Sequence, residues 1–379
     1  MRLFEYEAKE IFKKFGIPVP KGLVVRSAKE AASAAKQIRL PVAVKAQILV
    51  GGRGNAGGIK FTSDLDEVIA ETKKLINRRI KGRKVKMVLI EEKLDIQNEY
   101  YMGVTIDQLS GKPILMFSTE GGVDVETIAK KKPEMLISKK ISVSRGFFQF
   151  EARDMCMQLG LKGSTLLKVG SILHKLYEVF IGYDAMIAEI NPLIITSNGE
   201  PYAVDAKLEV DDNALFRQPN LELNLSTRYE DKIKIEAIKH GLSYVRLDGD
   251  IGVIGSGAGL TMATIDLITD FGGKPANFLE TGGGITEELM TKAVELVLKD
   301  RRLKGLLINL YGGINPMPSA AKGIVKAYEK LKPKIPVLVK LVGNQQEEAW
   351  NILGNYAIPI AKKIQTEKAV EKLMNLLGG

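Results

Sequence analysis

The sequence predicts a two-domain protein, in which an α+β half is followed by an α/β half built on a doubly wound parallel sheet. The chain has 379 residues, which is long enough for two or three domains. Its first half combines helical patterns with strands that pair across short turns. From Ile251 onward, short apolar strands alternate with glycine turns and helices. That alternation is typical of a parallel sheet whose ligand-facing loops lie at the carboxyl ends of the strands.

The first half begins with a helical pattern over residues 3–15, then a proline-bounded strand and a second helix that Ser27 caps. An apolar strand ends at Lys45, and another strand resumes at Ile59. A third helix, capped by Ser63, is expected to run to about residue 79. The remaining segments predict alternating strands and two helices.

Two strand segments, DAMIAEINPLIIT and PYAVDAKLEV, predict an antiparallel pair around a short turn. A polar helix within residues 221–243 is expected to link the two halves. In the second half, the segment YAIPIAKK predicts the last strand. The predicted helices of this half cover residues 260–271, 286–299, 319–331, 345–353 and 366–377.

Composition excludes several classes of protein. No apolar run approaches the roughly 20 residues that cross a bilayer, so we expect no membrane association. The N-terminus, MRLFEYEAKEIF, is charged and helical, unlike a secretory signal. Cys156 is the only cysteine, which excludes an internal disulfide and fits a reducing, cytoplasmic location. Both histidines, His174 and His240, fit structural positions in helices, so a Ser-His-Asp triad or a two-histidine metal site is hard to build.

The net charge of +10 suits either a polyanionic ligand such as a nucleotide or simply a lysine-rich surface. The basic residues are spread along the chain, and the short basic runs lack interleaved aromatic residues. We therefore do not expect nucleic-acid binding.

The segment KAQILVGGRGNAGGIK, residues 45–60, is the strongest local signal. Five glycines fall within eight residues between two predicted strands, and glycine lets backbone N–H groups approach a ligand closely. Lys45 and Arg53 add positive charge suited to phosphate oxygens. The segment is not a Walker loop. It predicts a glycine-rich flap over a nucleotide, and the alternative is a mobile hairpin tip with solvated basic residues.

Polar side chains on the predicted strand pair indicate a metal site. Asn191 and Asp205 lie on neighbouring strands that are otherwise apolar, and Glu189 shares a face with Asn191. Carboxylate and amide oxygens, completed by phosphate oxygens, suit Mg²⁺. The alternative is a row of polar residues on a solvent-exposed face.

Two further patterns have competing interpretations. Glu91 closes an apolar strand, and Glu99 follows it, so either carboxylate could accept ribose hydroxyls or an adenine amino group, or could be a solvated surface acid. The turn GSGAG, residues 255–259, follows a strand and precedes a helix, but its glycine spacing differs from that of dinucleotide-binding proteins. Similar glycine turns follow the next two strands, which favours an anion or carboxylate site at helix N-termini.

Taken together, these segments resemble a known family. LFEYEAKEIF, VKAQILVGGRGNAGGIK, STEGGVDVE, AEINPLIIT, DAKLEVDDNALFRQ, LDGDIGVIGSGAGL, PANFLETGGG and NLYGGI occur in the order found in β subunits of ADP-forming succinyl-CoA synthetase (succinate–CoA ligase). The resemblance covers nearly the whole chain. It implies an N-terminal ATP-grasp fold, residues 1–228, and a flavodoxin-like CoA-ligase domain, residues 229–379.

The resemblance also implies roles for individual residues. It assigns ATP phosphates to Lys45, Gly52, Arg53 and Gly54, the base and ribose to Glu91, Leu94 and Glu99, Mg²⁺ to Asn191 and Asp205, and a phosphohistidine contact to Glu189. The phosphorylated histidine and the CoA site are expected on a partner α subunit. Phosphoryl exchange with that histidine would accompany the reversible conversion of succinyl-CoA, ADP and phosphate to succinate, CoA and ATP.

Two departures from the family pattern concern the acid substrate. The family usually has asparagine where this chain has Ser256. It also usually reads GGI, then V or N, then RCD, where residues 312–318 of this chain read GGINPMP. The resemblance places Ser256, Gly313, Ile314 and Asn315 at the acid pocket. Malate–CoA ligase β subunits share most of the same motifs, so malate is an alternative substrate. More distant alternatives are an NAD-linked oxidoreductase and a basic nucleic-acid-binding module.

Overall fold

The computed structural model describes residues 1–221 and 224–378. The chain divides into two compact units, Met1–Leu223 and Asn224–Gly379. The predicted boundary after residue 228 lies a few residues beyond this division. Within the described residues, none of the helices combines the length and the apolar character needed to cross a membrane.

The first unit contains six α-helices and twelve strands among its described residues. The helices are α1 (Glu5–Lys14), α2 (Ala28–Ile38), α3 (Leu65–Leu75), α4 (Val125–Lys131), α5 (Gln149–Gln158) and α6 (Gly163–Gly182). The strands are β1 (Gly22–Val25), β2 (Val42–Ala46), β3 (Ile59–Thr62), β4 (Arg79–Ile80), β5 (Arg83–Lys84), β6 (Val88–Glu92), β7 (Asn98–Asp107), β8 (Lys112–Ser118), β9 (Leu136–Lys140), β10 (Ala185–Ile195), β11 (Pro201–Ala203) and β12 (Lys207–Val210).

Two antiparallel sheets organise this unit. The smaller has the order β1-β6-β2-β3, and the larger has the order β11-β10-β7-β8-β9, with β12 also paired to β10. Helices α2 and α3 cover the small sheet around Val44 and Ile90, while α1, α5 and α6 pack on the large sheet around Phe12 and Leu173. The α+β character predicted for this half is therefore confirmed.

Three local predictions in this unit are wrong. Helix α3 is capped by Asp64, whose side chain accepts a hydrogen bond from the Glu67 N–H at 2.9 Å, and not by Ser63. The helix also ends at Leu75, because Asn77 adopts a positive φ of 69° and residue 79 enters β4. The predicted strand PYAVDAKLEV is divided into β11 and β12, so Asp205 lies in the break between two strands.

The second unit contains seven helices and five strands among its described residues. The helices are α7 (Leu225–Arg228), α8 (Lys232–Lys239), α9 (Ala258–Asp270), α10 (Glu287–Val297), α11 (Met317–Leu331), α12 (Gln346–Gly354) and α13 (Thr366–Gly378). The strands are β13 (Ser243–Arg246), β14 (Ile251–Gly255), β15 (Asn277–Glu280), β16 (Gly305–Gly312) and β17 (Val337–Gly343).

The sheet of the second unit has the order β13-β15-β14-β16-β17, in which the last four strands are parallel and β13 is an antiparallel edge. Helices α10, α11 and α12 cover one face around Met290 and Ile324, and α9 and α13 cover the other around Ile268 and Leu373. The parallel strands follow the flavodoxin-like order, which confirms the predicted doubly wound fold.

Two predictions in the second unit are corrected. Residues 221–243 form the short helices α7 and α8 and the start of β13 rather than one linker helix, and residues 222–223 lie outside the described part. The segment YAIPIAKK forms a single bridge between Ile360 and Val339 instead of a strand. Pro359 has no N–H to donate, so it cannot continue a hydrogen-bonded ladder.

Candidate nucleotide-binding site

A cavity of about 500 Å³ lies between the two sheets of the first unit. Its size is in the range of small-molecule sites. The cavity is lined by the glycine-rich segment, the end of β6, residues 122–124 and the neighbouring parts of β10 and β12. All ten site residues that the sequence assigned to this half line the cavity, namely Lys45, Gly52, Arg53, Gly54, Glu91, Leu94, Glu99, Glu189, Asn191 and Asp205.

The glycine-rich segment connects the antiparallel strands β2 and β3. It folds back on itself, because the N–H of Gly58 donates to the carbonyl of Arg53 at 2.8 Å. A Cβ atom on Gly58 would lie 3.0 Å from that same carbonyl oxygen, so a side chain at this position would crowd the turn. The turn holds the Arg53 side chain inside the protein, where it is only 6 % exposed. A flap with an inward-facing arginine therefore describes the segment better than a tip with solvated basic residues.

Lys45 uses all three of its ammonium protons within the protein. Its Nζ atom donates to Oε1 of Glu5 at 3.0 Å, to Oε2 of Glu91 and to the carbonyl of Val204. Burial would lower the pKa of Lys45, but the charges of Glu5 and Glu91 raise it above its ordinary value. The lysine is thus held charged at the end of β2.

Arg53 makes a second set of ion pairs beside Lys45. One terminal nitrogen of its guanidinium donates to Oε2 of Glu5 at 2.5 Å and to Oδ1 of Asp205 at 2.7 Å. The other donates to the carbonyl of Ala46 at 3.2 Å. Burial would lower the pKa of Arg53, and Asp205 and Glu5 more than offset that effect. The cavity wall therefore carries two permanent positive charges, which suit the phosphates of a nucleotide.

Lys45, Arg53 and their charged neighbours form a cluster of ion pairs. Two members of this cluster, Glu5 and Lys9 of α1, were not predicted from the sequence. Both are buried at 4 % exposure, and the Lys9 ammonium lies 2.8 Å from Oε1 of Glu5. Lys9 also donates to Glu91 and to the carbonyl of Val204. The available signal was an acid and a base four residues apart, next to the apolar positions Ala8 and Phe12. Such pairs are commonly solvent-exposed, so the spacing alone does not reveal a buried cluster.

Asn191 and Asp205 both line the cavity. The register of β10 shifts after Ile190, and a shift of this kind re-aims side chains. The Asn191 amide accepts a hydrogen bond from the Gly122 N–H at 2.8 Å and donates to the Val123 carbonyl at 2.9 Å. Gly121 allows this loop to approach, since a Cβ atom there would lie 2.7 Å from the backbone nitrogen of Tyr100.

The donor chemistry of these two residues fits a hard cation. Oδ1 of Asp205 accepts from Arg53 and from the Ala206 N–H at 2.8 Å. Within residues 1–221 and 224–378, no hydrogen bond or ion pair uses its Oδ2. The Asn191 carbonyl keeps a second lone pair. An amide and a carboxylate oxygen, together with phosphate oxygens and water, make a shell typical of Mg²⁺.

Glu189 lies on β10 opposite Gly103 of β7 and is partly buried. Its Oε2 atom is 3.4 Å from the Lys207 ammonium. Burial raises the pKa of Glu189, Lys207 opposes that shift, and the charge of Asp205 adds to it. Burial of this carboxylate therefore favours its protonated form relative to a carboxylate in water.

The three residues expected near the base and ribose occupy different surroundings. Glu91 is 2 % exposed and pairs with Lys9 and Lys45, so its carboxylate lies among the cations. Leu94 and Glu99 line the cavity and are partly exposed. Contact of any of these residues with a base or ribose stays a prediction.

The loops of the second unit bring together the residues expected at the acid pocket. The Ser256 hydroxyl accepts from the Tyr311 N–H at 2.9 Å and donates to the Tyr311 carbonyl at 3.0 Å. The Asn315 amide donates to the carbonyl of Gly283. Turns after β14, β15 and β16 therefore meet at one edge of the sheet, as the parallel arrangement predicts. Gly313 is exposed in the same loop, and Ile314 is 91 % exposed there.

Comparison with known proteins agrees with both folds. A family model described as an ATP-grasp domain matches residues 2–195, and one described as a CoA-ligase matches residues 254–374. The chain is also similar in structure to ATP citrate lyase from Methanothrix soehngenii, with a TM-score of 0.79 over 99 % of each chain. At 20 % sequence identity, this likeness concerns the fold alone.

Curated relatives share the whole length of the chain. The β subunit of a GDP-forming succinate–CoA ligase from Thermus thermophilus is 42 % identical over 379 residues, covering 100 % of both chains. The β subunit of an ADP-forming succinate–CoA ligase from Methanocaldococcus jannaschii is 43 % identical over 377 residues, again covering 100 % of both. A third ADP-forming relative, from Brevibacillus brevis, is 39 % identical over 385 residues and 100 % of each chain. The chain therefore belongs to the family of succinate–CoA ligase β subunits.

Proposed function

We propose that this chain binds Mg-ATP or Mg-ADP in the cavity of its first unit and acts with an α subunit as an ADP-forming succinate–CoA ligase. The observation that carries the proposal is the placement of Lys45 and Arg53 on the same cavity as Asn191 and Asp205. Two cations and two oxygen ligands on one cavity match the needs of a magnesium–nucleotide complex. Family membership favours this function over an oxidoreductase or a nucleic-acid-binding module.

In the proposed reaction, the terminal phosphoryl group of ATP passes to an imidazole nitrogen of the α subunit. The bond between the terminal phosphorus and the oxygen that bridges to ADP breaks, a phosphorus–nitrogen bond forms, and ADP leaves. The acid substrate then takes the phosphoryl group to give an acyl phosphate, and the CoA thiol displaces phosphate to give acyl-CoA. Each step is reversible.

The residues of this chain would act by positioning and charge neutralisation, which dominate phosphoryl-transfer catalysis. Lys45 and Arg53 would hold phosphate oxygens, while Asn191 and Asp205 would hold Mg²⁺. The metal would neutralise charge on the phosphates when bound. Glu189 would contact the histidine of the α subunit and could accept or release its proton.

The histidines of this chain occupy structural positions, which supports a nucleophile on the partner. His174 of α6 lies 3.6 Å from Glu178 and stacks against Phe147. His240 follows α8 as its C-terminal cap. Neither residue lines the cavity.

The decisive experiment compares the pure chain with the chain co-expressed with its α subunit. The pure chain should bind Mg-ADP in calorimetry but should not form ADP from ATP in the presence of succinate and CoA. Addition of the α subunit should restore that activity. Substantial ligase activity of the pure chain would contradict the division of roles, and failure to bind Mg-ADP would contradict the nucleotide site.

The nucleotide base is proposed to be adenine rather than guanine, on the resemblance around the segment Glu91–Leu94. Relatives of both ADP-forming and GDP-forming name are about equally similar to this chain, at 43 % and 42 % identity. Steady-state kinetics of the assembled enzyme should give a higher kcat/KM with ATP than with GTP. An equal or higher value with GTP would reverse the proposal.

The acid substrate is proposed to be succinate, with relaxed discrimination against malate. Serine at position 256 is shorter than the asparagine usual in the family, which leaves room for an extra hydroxyl. A hydroxyl or methylene tolerated in a loose pocket changes specificity by only about 10- to 200-fold. Ser256→Asn should raise the preference for succinate, measured as the ratio of kcat/KM values for the two acids. An unchanged ratio would remove the support for this pocket.

A further inference from the structure

One carboxylate joins the two cations of the candidate nucleotide site. Oε1 of Glu5 lies 3.0 Å from the Lys45 ammonium, and Oε2 lies 2.5 Å from the Arg53 guanidinium. Oε2 also accepts a hydrogen bond from the Gln47 amide at 3.1 Å. Lys9, from the next turn of α1, lies 2.8 Å from Oε1. Glu5 therefore binds four side chains while 4 % exposed.

The two cations come from different elements, and Glu5 belongs to neither. Lys45 lies on the strand β2, one residue before its end, whereas Arg53 lies in the glycine-rich segment beyond it. Glu5 starts α1, which packs through Ala8 and Phe12 into the core of the large sheet. A rigid helix thus fixes the distance between a strand residue and a flap residue that are expected to bind one chain of phosphates.

We propose that Glu5 is a positioning residue of the nucleotide site, acting through Lys45 and Arg53. This inference rests on the proposed function of the cavity. Glu5 holds both cations where the phosphates of ATP or ADP would meet them, and Lys9 contacts the same Oε1 atom of Glu5 as Lys45 does. Ordering the cations before the ligand arrives lowers the cost of binding.

A simple charge argument predicts the opposite result, which makes the inference testable. Three acids, Glu5, Glu91 and Asp205, and three bases, Lys9, Lys45 and Arg53, make a cluster with no net charge. Removing the charge of Glu5 leaves an excess positive charge. If charge alone governed binding, a phosphate-bearing ligand would bind more tightly to that variant.

The experiment compares four full-length proteins by calorimetry with Mg-ADP and, separately, with adenosine. The variants are Glu5→Gln, Glu5→Asp and the matched control Glu10→Gln, which changes an exposed acid on the same helix. The glutamine keeps the size of the side chain but places an NH₂ group against a donor. Loss of charge-assisted hydrogen bonds should weaken Mg-ADP binding about 10- to 100-fold, while adenosine binding should stay unchanged because it has no phosphates.

Glu5→Asp keeps the charge but is one methylene shorter, so it should weaken Mg-ADP binding less than Glu5→Gln. This variant also carries the test alone if Glu5→Gln does not fold, since a Kd equal to that of wild type would then overturn the inference. Equal or tighter Mg-ADP binding by folded Glu5→Gln would overturn it as well. A purely structural role would lower the melting temperature and change adenosine and Mg-ADP binding alike, which also counts against positioning. Absence of Mg-ADP binding by the wild-type chain would instead refute the proposed function.

Discussion

The ion pair between Arg53 and Asp205 joins a predicted phosphate ligand to a predicted metal ligand at 2.7 Å. Arg53 must therefore leave Asp205 before it can hold the phosphates as proposed. Oδ2 of Asp205 already lacks a partner among the described residues, and the departure of Arg53 would make Oδ1 available to the metal as well. It follows that Arg53 competes with the metal for Asp205 in the nucleotide-free protein, and that Arg53→Gln should strengthen binding of a divalent cation supplied alone.

The structure bounds the size of this effect. A hydrogen bond to a charged group contributes about 1.5–3 kcal/mol when well protected. The Arg53 side chain is 7 % exposed, but the Asp205 side chain is 41 % exposed, so solvent weakens the pair. A value of about 1–2 kcal/mol remains after that discount. Arg53→Gln should then tighten binding of the metal alone by about 5- to 30-fold.

Electron paramagnetic resonance of free Mn²⁺ measures this binding without nucleotide or catalysis. Removing any nearby positive charge should attract the metal somewhat, so Lys45→Gln is the matched control: it loses the same charge from the same cluster without contacting Asp205. Arg53→Gln should bind Mn²⁺ more tightly than Lys45→Gln, and a further Asp205→Asn substitution should remove the gain. Equal Mn²⁺ affinity in the two single variants would refute the competition.

Three further predictions follow from the same geometry. Asp205→Ala should abolish magnesium-dependent transfer of labelled phosphate to the α subunit. If the variant labels the α subunit as well as wild type does at low Mg²⁺, the assignment of Asp205 as a metal ligand is contradicted. Burial alone would raise the pKa of Glu5, but neighbouring cations hold it well below 4.5; its stabilising effect is therefore present above pH 4.5 and lost as the pH falls through the lowered value. Thermal melts at acidic pH should show a steeper loss for wild type than for Glu5→Gln, and parallel curves would oppose this. Gly121→Ala should lower both the melting temperature and the Mg-ADP affinity, because its Cβ would lie 2.7 Å from the Tyr100 nitrogen. Gly354→Ala, where no atom lies within 4 Å of the added carbon, should change neither, and equal effects of the two substitutions would show that the Tyr100 contact is unimportant.

The sequence predicted the parts of the site that depend on local pattern. The glycine-rich segment was recognisable because several glycines and two cations lie between two strands. Asn191 stood out as a polar residue within an apolar strand. The carboxyl-edge loops of the second unit could be expected together, since every parallel strand ends at the same edge. In each case, the informative residues are neighbours in the chain or in a regular sheet.

Features that depend on distant contacts were not predictable in this way. The first helix has an ordinary amphipathic pattern, and only contacts with Glu91 and Val204 show that Lys9 is buried. The break that releases Asp205 from the strand ladder interrupts a segment with good strand propensity. The segment YAIPIAKK fails to form a strand for a local reason, because Pro359 lacks the N–H that a hydrogen-bonded ladder needs.

The cluster around Glu5 also has a consequence for how the first unit folds. Its contacts join residues near the start of the chain to Val204 and Asp205 near the end of this unit. Contacts so distant along the chain form late, because the intervening loop must first be closed at an entropic cost. During synthesis, β2 and the glycine-rich segment emerge long before Val204, so Lys45 then lacks its carbonyl acceptor. The capacity to hold a nucleotide should therefore arise in one step, when the last strands of the large sheet dock.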